Sequence, residues 1–389
     1  NDSIYIALVL RDDLNAGNAA ENLSTVRVVR LTDIYTAGWG PTWTQIAADI
    51  EAIDGVDAIM NSIDIEIDGA GFLHLVYPYY TSASGLYHVR YRKSTAAHPG
   101  AVTSWSVAVN LTEVGGDMHG CVIATTPGGN GGASETVYIA YFLDAAIDLL
   151  MMRSFAANST PAGGAGAPIT VESNVYMTAP QSWCGPVLVV DNGGNQHFLY
   201  RHNNTTTLRH TRRTATTTTH ANVTTSLSNS TYNAAAPPSI PITKFYNWDM
   251  IVKDDWTHVY FVEAITPING PFQNANRLVR TFRYGTGSFE RLIPVEGGDV
   301  AAAYHAFLAT YRRYESYCIR RISYIHSASG ADRDFRYLRN GQLLTESGVT
   351  IEAVTEYPMP MIDADAVRTF VVQCSNNLYY KRNSSFPEW

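Results

Sequence analysis

The sequence predicts an all-β protein, a seven-bladed β-propeller of mostly four-stranded antiparallel blades, and three observations carry that expectation. A two-strand layout recurs: FLHLVYPYYTSASGLYHVRYRK (72–93), TVYIAYFLDAAIDLLMMR (136–153) and QHFLYRHNNTTTLRHTR (196–212) each read as strand, turn, strand. The second strand of each unit ends in arginine, at Arg30, Arg90, Arg153, Arg212, Arg283, Arg339 and Arg382. Their intervals of 60, 63, 59, 71, 56 and 43 residues drift around the length of a blade with long loops. No segment keeps a helical period over more than about three turns.

Each unit can then be read in order. An inner strand comes first, as in IDIEID (63–68), CVIATT (121–126), PVLVVD (186–191), DMIVKD (249–254), HAFLAT (305–310) and MPMIDA (359–364). These runs are apolar with little alternation, as strands covered on both faces are. Gly- and Asp-rich turns such as IDGAG, DNGGN and PGGNGG lead to the second strand, and Asp68, Asp191, Asp254 and Asp363 are expected to form those turns by accepting local backbone hydrogen bonds. The arginine-ended third strand follows, then a short outer strand, as in SWSVAVNLT (104–112) and SFERLIPVE (288–296). The expected blades are 1–56, 57–115, 116–180, 181–240, 241–300, 301–355 and 356–389 of one propeller domain. The first unit shows no inner strand and the last no outer one, so the ends are expected to mediate self-association through strand addition.

Composition narrows the function classes. Only 16% of the residues are charged and the net charge is −8, which supplies no basic field for phosphates and argues against nucleic acid as a partner. No run approaches the roughly 20 apolar residues of a membrane helix. Nine N-x-S/T triplets, at Asn1, Asn22, Asn110, Asn158, Asn203, Asn204, Asn222, Asn229 and Asn383, favour a glycosylated extracellular or cell-surface protein carrying covalent glycans. Cys121, Cys184, Cys318 and Cys374 lack zinc-site spacing, so no metal and no cofactor is expected. Cys121 and Cys184 open consecutive inner strands and are expected to pair, leaving Cys318 with Cys374.

The succession of inner strand, DxxG turn, "LHLVY", second turn, "LYHVRYR" and a following Trp resembles the BNR-type blades of the sialidase-like β-propellers, over nearly the whole chain. That superfamily includes hydrolases, polysaccharide lyases, lectins and proteins without catalysis, so the resemblance implies a fold more than an activity. The sialidase pattern departs here: no S-x-D-x-G-x-T-W box is present, and Arg11 with Asp12 and Asp13 lacks the Phe, Ile and Pro of the family's arginine motif.

A lyase needs a His or Tyr base, a Tyr or His acid, and an Arg or metal facing a uronate carboxylate. His74, His88, Tyr91 and Arg92 offer those types in one blade and are the catalytic candidates. Their weakness is repetition: His74, His197 and His258 stand three residues before Tyr77, Tyr200 and Phe261, and a residue found blade after blade is first a scaffold residue. The seven arginines are expected, for the same reason, to occupy equivalent structural positions. Polar clusters that do not repeat are YRRYESYCIRR (311–321), KDDW (253–256) and MHGC (118–121). From these, Arg312, Arg313, Tyr314 and Trp256 are candidates for gripping a glycan by guanidinium forks and ring stacking. The leading expectation is a structural or adhesive subunit that assembles with itself into a layer, matrix or filament. The alternatives are a polysaccharide lyase or glycosidase on acidic glycans, and a lectin; an extracellular polysaccharide is the partner in both.

Overall fold

A computed structural model describes residues 4–12, 23–32, 42–45, 50–54, 58–59, 63–99, 105–111, 116–159, 161, 166–176, 186–203, 207–223, 242–253, 255–265, 276–289, 293–297, 303–310, 321–327, 334–339, 342–346, 359–362, 368–374 and 377–383. Among them there is no helix, and the strands form seven antiparallel sheets, mostly four-stranded. The first sheet holds β1 (Ile4–Asp12), β2 (Leu23–Thr32), β3 (Thr42–Gln45) and β4 (Glu51–Asp54), with β3 and β4 both pairing β2. The second holds β5 (Ala58–Ile59), β6 (Asp64–Ile67), β7 (Leu73–Thr81), β8 (Leu86–Lys93) and β9 (Val109–Leu111), with β5 and β6 both pairing β7. The third runs in sequence order through β10 (Asp117–Thr125), β11 (Thr136–Asp144), β12 (Leu149–Ala156) and β13 (Ile169–Ser173).

The same sequential order holds in the fourth, β14 (Val187–Val190), β15 (Gln196–Arg201), β16 (Leu208–Arg213) and β17 (Thr218–Asn222), and in the fifth, β18 (Ile242–Lys253), β19 (Trp256–Ile265), β20 (Asn276–Tyr284) and β21 (Ile293–Gly297). The sixth is β22 (Ala303–Thr310), β23 (Arg321–Ser327), β24 (Asp334–Arg339) and β25 (Gln342–Glu346); the seventh is β26 (Met359–Ile362), β27 (Arg368–Cys374) and β28 (Asn377–Asn383). Two compact units divide the chain, 1–196 and 197–389.

In the first unit β7 shows why its sequence is so continuously apolar. Leu73, Leu75 and Tyr77 point one way, into a core shared with Ala7, Val26 and Val28 of the first sheet. Val76 points the other way, into a core with Tyr91, Met118, Ile123, Ile139 and Tyr141 that joins the second sheet to the third. A strand covered on both faces has no solvent side for polar residues to mark.

The turns after the inner strands are built by their aspartates. Asp68 Oδ1 accepts from the N–H of Ala70 (3.0 Å) and of Phe72 (2.8 Å), and its carbonyl accepts from Gly71, whose φ of 90° calls for glycine. Asp191 repeats the arrangement: its Oδ1 accepts from Asn195 N–H (2.8 Å) and its carbonyl from Gly194, at φ 75°. Asp254 and Asp363 lie outside the described residues. Neighbouring sheets are tied at the same end. The buried Glu135 carboxylate accepts from Gly69 N–H (3.1 and 3.0 Å), and a Cβ on Gly69 would lie 1.7 Å from the Gly129 carbonyl oxygen.

Arg90, Arg153, Arg212, Arg283, Arg339 and Arg382 lie on the third strand of their sheets and Arg30 on the second strand of its own, without a common register. Their cross-strand partners are Tyr5 for Arg30, Tyr77 for Arg90, Ile139 for Arg153, Thr257 for Arg283, Arg321 for Arg339 and Thr369 for Arg382, which lie anywhere from the first to the fifth residue of the partner strand. The counterpart of Arg90 is Arg209, not Arg212. Arg90 Nε donates to Asn110 Oδ1 (2.7 Å) and Arg209 Nε to Asn222 Oδ1 (2.8 Å), each asparagine directly opposite on the outer strand. Both asparagines open N-x-T triplets, and Asn110, Asn158 and Asn203 are exposed. Cys121 is buried in β10; the placement of Cys184 and Cys318 and the side chain of Cys374 lie outside the described residues, and the expected pairings with them.

Among the described residues a bulge interrupts three inner strands. In β10 His119 faces Phe142 and Val122 faces Ala140, so Gly120 and Cys121 together oppose Tyr141, with Gly120 at φ 57°. In β18 one shift falls between Ile242 and Lys244 and a second between Phe245 and Trp248, and in β22 the shift falls between Tyr304 and Phe307.

Candidate functional site

Of the four catalytic candidates of the second sheet, only His74 and Tyr91 meet. His74 and Tyr91 are sealed in the interior at 0% exposure, where His74 Nδ1 meets the Tyr91 hydroxyl (2.8 Å) and Nε2 meets Asp68 Oδ2 (3.2 Å). Burial pushes the Asp68 carboxyl upward, but hydrogen bonds from His74 and Phe72 N–H and the charges of His74 and Lys93 outweigh it and hold the group below the usual carboxylate range. Arg92 hydrogen-bonds the Tyr77 hydroxyl. His88 pairs with Tyr79, five residues along β7 from His74 and so roughly 17 Å away at a strand's rise, and its Nε2 meets Ser84 Oγ (3.1 Å) in the connecting turn.

Of the glycan candidates, Arg312, Arg313 and Tyr314 lie outside the described residues. Trp256 is 37% exposed and packs its ring against Tyr284, 57% exposed, at 5.1 Å, with His258 stacked against it at 6.3 Å.

A different group of side chains converges where the second and third sheets meet, at the end opposite the aspartate turns. Asp117 and Asp144 face each other as cross-strand partners at the first residue of β10 and the last of β11. With His119 they bring one ligand-type atom each to within 4.8 Å of one another. Gly116 permits that approach, since a Cβ there would fall 1.7 Å from the Asp144 carbonyl oxygen.

Tyr87 of β8 braces the group from the second sheet. Its N–H donates to Asp117 Oδ1 (2.7 Å) and its ring packs on His119 at 5.2 Å, with Tyr80 against its own ring at 4.9 Å. Burial lowers the pKa of His119, against the upward pull of Asp117, Asp144 and Asp148. Its Nδ1 is enclosed without a hydrogen-bond partner among the described residues. Asp144 is exposed, so the cluster opens to solvent on that side. One imidazole and two carboxylates, half covered and next to aromatic rings, can move protons or hold a cation.

The MHGC stretch already contains His119. Asp117, Asp144 and Tyr87 escape notice in the sequence because they meet only through strand register and sheet packing. The available signal is an acid two residues before a histidine at the start of an inner strand, where the other inner strands have no such pair.

No protein-family model matches the chain, and no curated protein matches it. Among solved structures it is similar to the polysaccharide lyase Uly1, at 9% identity and TM-score 0.49, covering 98% of this chain and 88% of that one. It is also similar to the GH93 α-L-arabinofuranosidase of Fusarium graminearum (9% identity, TM-score 0.48, covering 84% and 92%). A protein of unknown function from Dyadobacter fermentans is similar to the same degree (10% identity, TM-score 0.48, covering 83% and 96%).

Proposed function

We propose that the seven sheets are the blades of one sialidase-like propeller and that the protein is a carbohydrate-active enzyme, a glycosidase or polysaccharide lyase, working at the Asp117, His119 and Asp144 cluster. The observation that carries this is the cluster itself: titratable groups of the types that cleave glycosidic bonds converge at an open strand end, in a combination that the repeat does not require. Tyr80 and Tyr87 lie against it as rings on which a sugar can stack. The same observation favours an enzyme over a self-assembling subunit.

The test is incubation with a panel of neutral and uronate-containing polysaccharides, following new reducing ends for either reaction and the ultraviolet absorbance of an unsaturated product for elimination. Turnover by the wild-type protein is expected, with His119→Ala slower by about 10²–10⁴-fold. Turnover that survives this substitution, or none on any polysaccharide, rejects the reading.

A further inference from the structure

Two features of the cluster are costly to the fold as it stands. Asp117 and Asp144 are like charges directly opposite on adjacent antiparallel strands, an arrangement that destabilises a sheet. Among the described residues neither forms an ion pair with lysine or arginine. Beside them the enclosed Nδ1 of His119 is left, among the described residues, without a hydrogen-bond partner. Packing alone does not call for a histidine here, because the residue before the bulge is Phe245 in β18 and Tyr304 in β22.

We propose that Asp117, His119 and Asp144 bind a divalent cation of the zinc class. Such an ion holds nitrogen and oxygen ligands at about 2.0–2.2 Å in a tetrahedron, so its ligands lie about 3.3–3.6 Å from one another. The three ligand atoms, within 4.8 Å of one another, need to draw together by about 1.5 Å at most, a movement that the side chain of exposed Asp144 can make. An imidazole among the donors selects zinc over calcium or magnesium, which take oxygen ligands. The Tyr87 N–H on Asp117 Oδ1 is the kind of second contact that fixes a ligand carboxylate, and exposed Asp144 leaves the side through which an ion enters and where water completes the coordination. The ion removes the carboxylate repulsion. This site stands independently of the polysaccharide reading.

The experiment is calorimetric titration of the chelator-treated whole protein with zinc alone and calcium alone, beside thermal melts with and without zinc. One zinc per chain is expected, with calcium at least tenfold weaker. Asp144→Asn, at an exposed position that does not threaten folding, should weaken zinc binding at least tenfold, and Asp117→Asn and His119→Gln likewise. Exposed Asp255→Asn should leave it unchanged.

The melts carry a sign that a merely structural carboxylate would not give. Without zinc Asp144→Asn should melt no lower than wild type, because a repulsion is gone; with saturating zinc the wild type should melt higher. Absence of saturable zinc binding, calcium preferred over zinc, or zinc binding unchanged in Asp144→Asn overturns the site. Zinc binding without turnover of any polysaccharide leaves the site standing and removes the enzyme reading alone.

Discussion

At the scale of single residues, buried titratable groups set two acid thresholds. His210 lies fully buried against the ring of His197, its Nε2 3.1 Å from His197 Nδ1, and burial, with Arg283, His197 and Arg212 nearby, drives its pKa well below the usual value. A histidine that stays neutral when folded binds its proton only on unfolding, so stability falls as the pH drops below about 6.5, the unfolded value. Asp68 acts lower. Its depressed carboxyl stabilises the fold above about pH 3.9, and that contribution is lost as the pH falls further, through the folded value. Urea unfolding from pH 7.5 down to 3 should therefore show two declines, with His210→Phe flattening the upper one. Asp68→Ala, which strands the N–H groups of Ala70 and Phe72 as well as His74, should cost about 3 kcal/mol at neutral pH.

At the scale of elements, the strands and the D-x-x-G turns were legible because β-branched, apolar and aromatic runs, with glycine and aspartate between them, mark them locally. Register was not. Arginines aligned by sequence spacing differ by several residues in pairing, since bulges and loop lengths, not the ending residue, decide what stands opposite. The same blindness hid the site, whose Asp144 meets Asp117 only across a ladder. The register correction changes what substitution should do. Arg90→Ala removes a bond to Asn110 at the surface and should cost about 1 kcal/mol. Arg283 is 1% exposed, and its Nε and Nη2 find no partner among the described residues, while the Phe289 ring faces its guanidinium at 5.3 Å. Arg283→Met should therefore melt no lower than wild type, since a well-packed apolar chain replaces a poorly satisfied buried charge; a fall of several degrees would show that the charge is satisfied after all.

At the scale of the molecule, sheets are joined by backbone contact as well as by apolar burial. Gly69 and Gly129 touch so closely that Gly69→Ala should force the two turns apart, withdraw Glu135 from Gly69 N–H, and cost several kcal/mol by denaturant titration, although no apolar side chain is lost. The inner-strand bulge belongs to this scale too, because it recurs from sheet to sheet. An extra residue near the start of the inner strand is shared by the third, fifth and sixth sheets. Asp117 and His119 are found in only one of those sheets. The bend is thus a property of the repeat, and the Asp117 and His119 pair is carried by one sheet upon it.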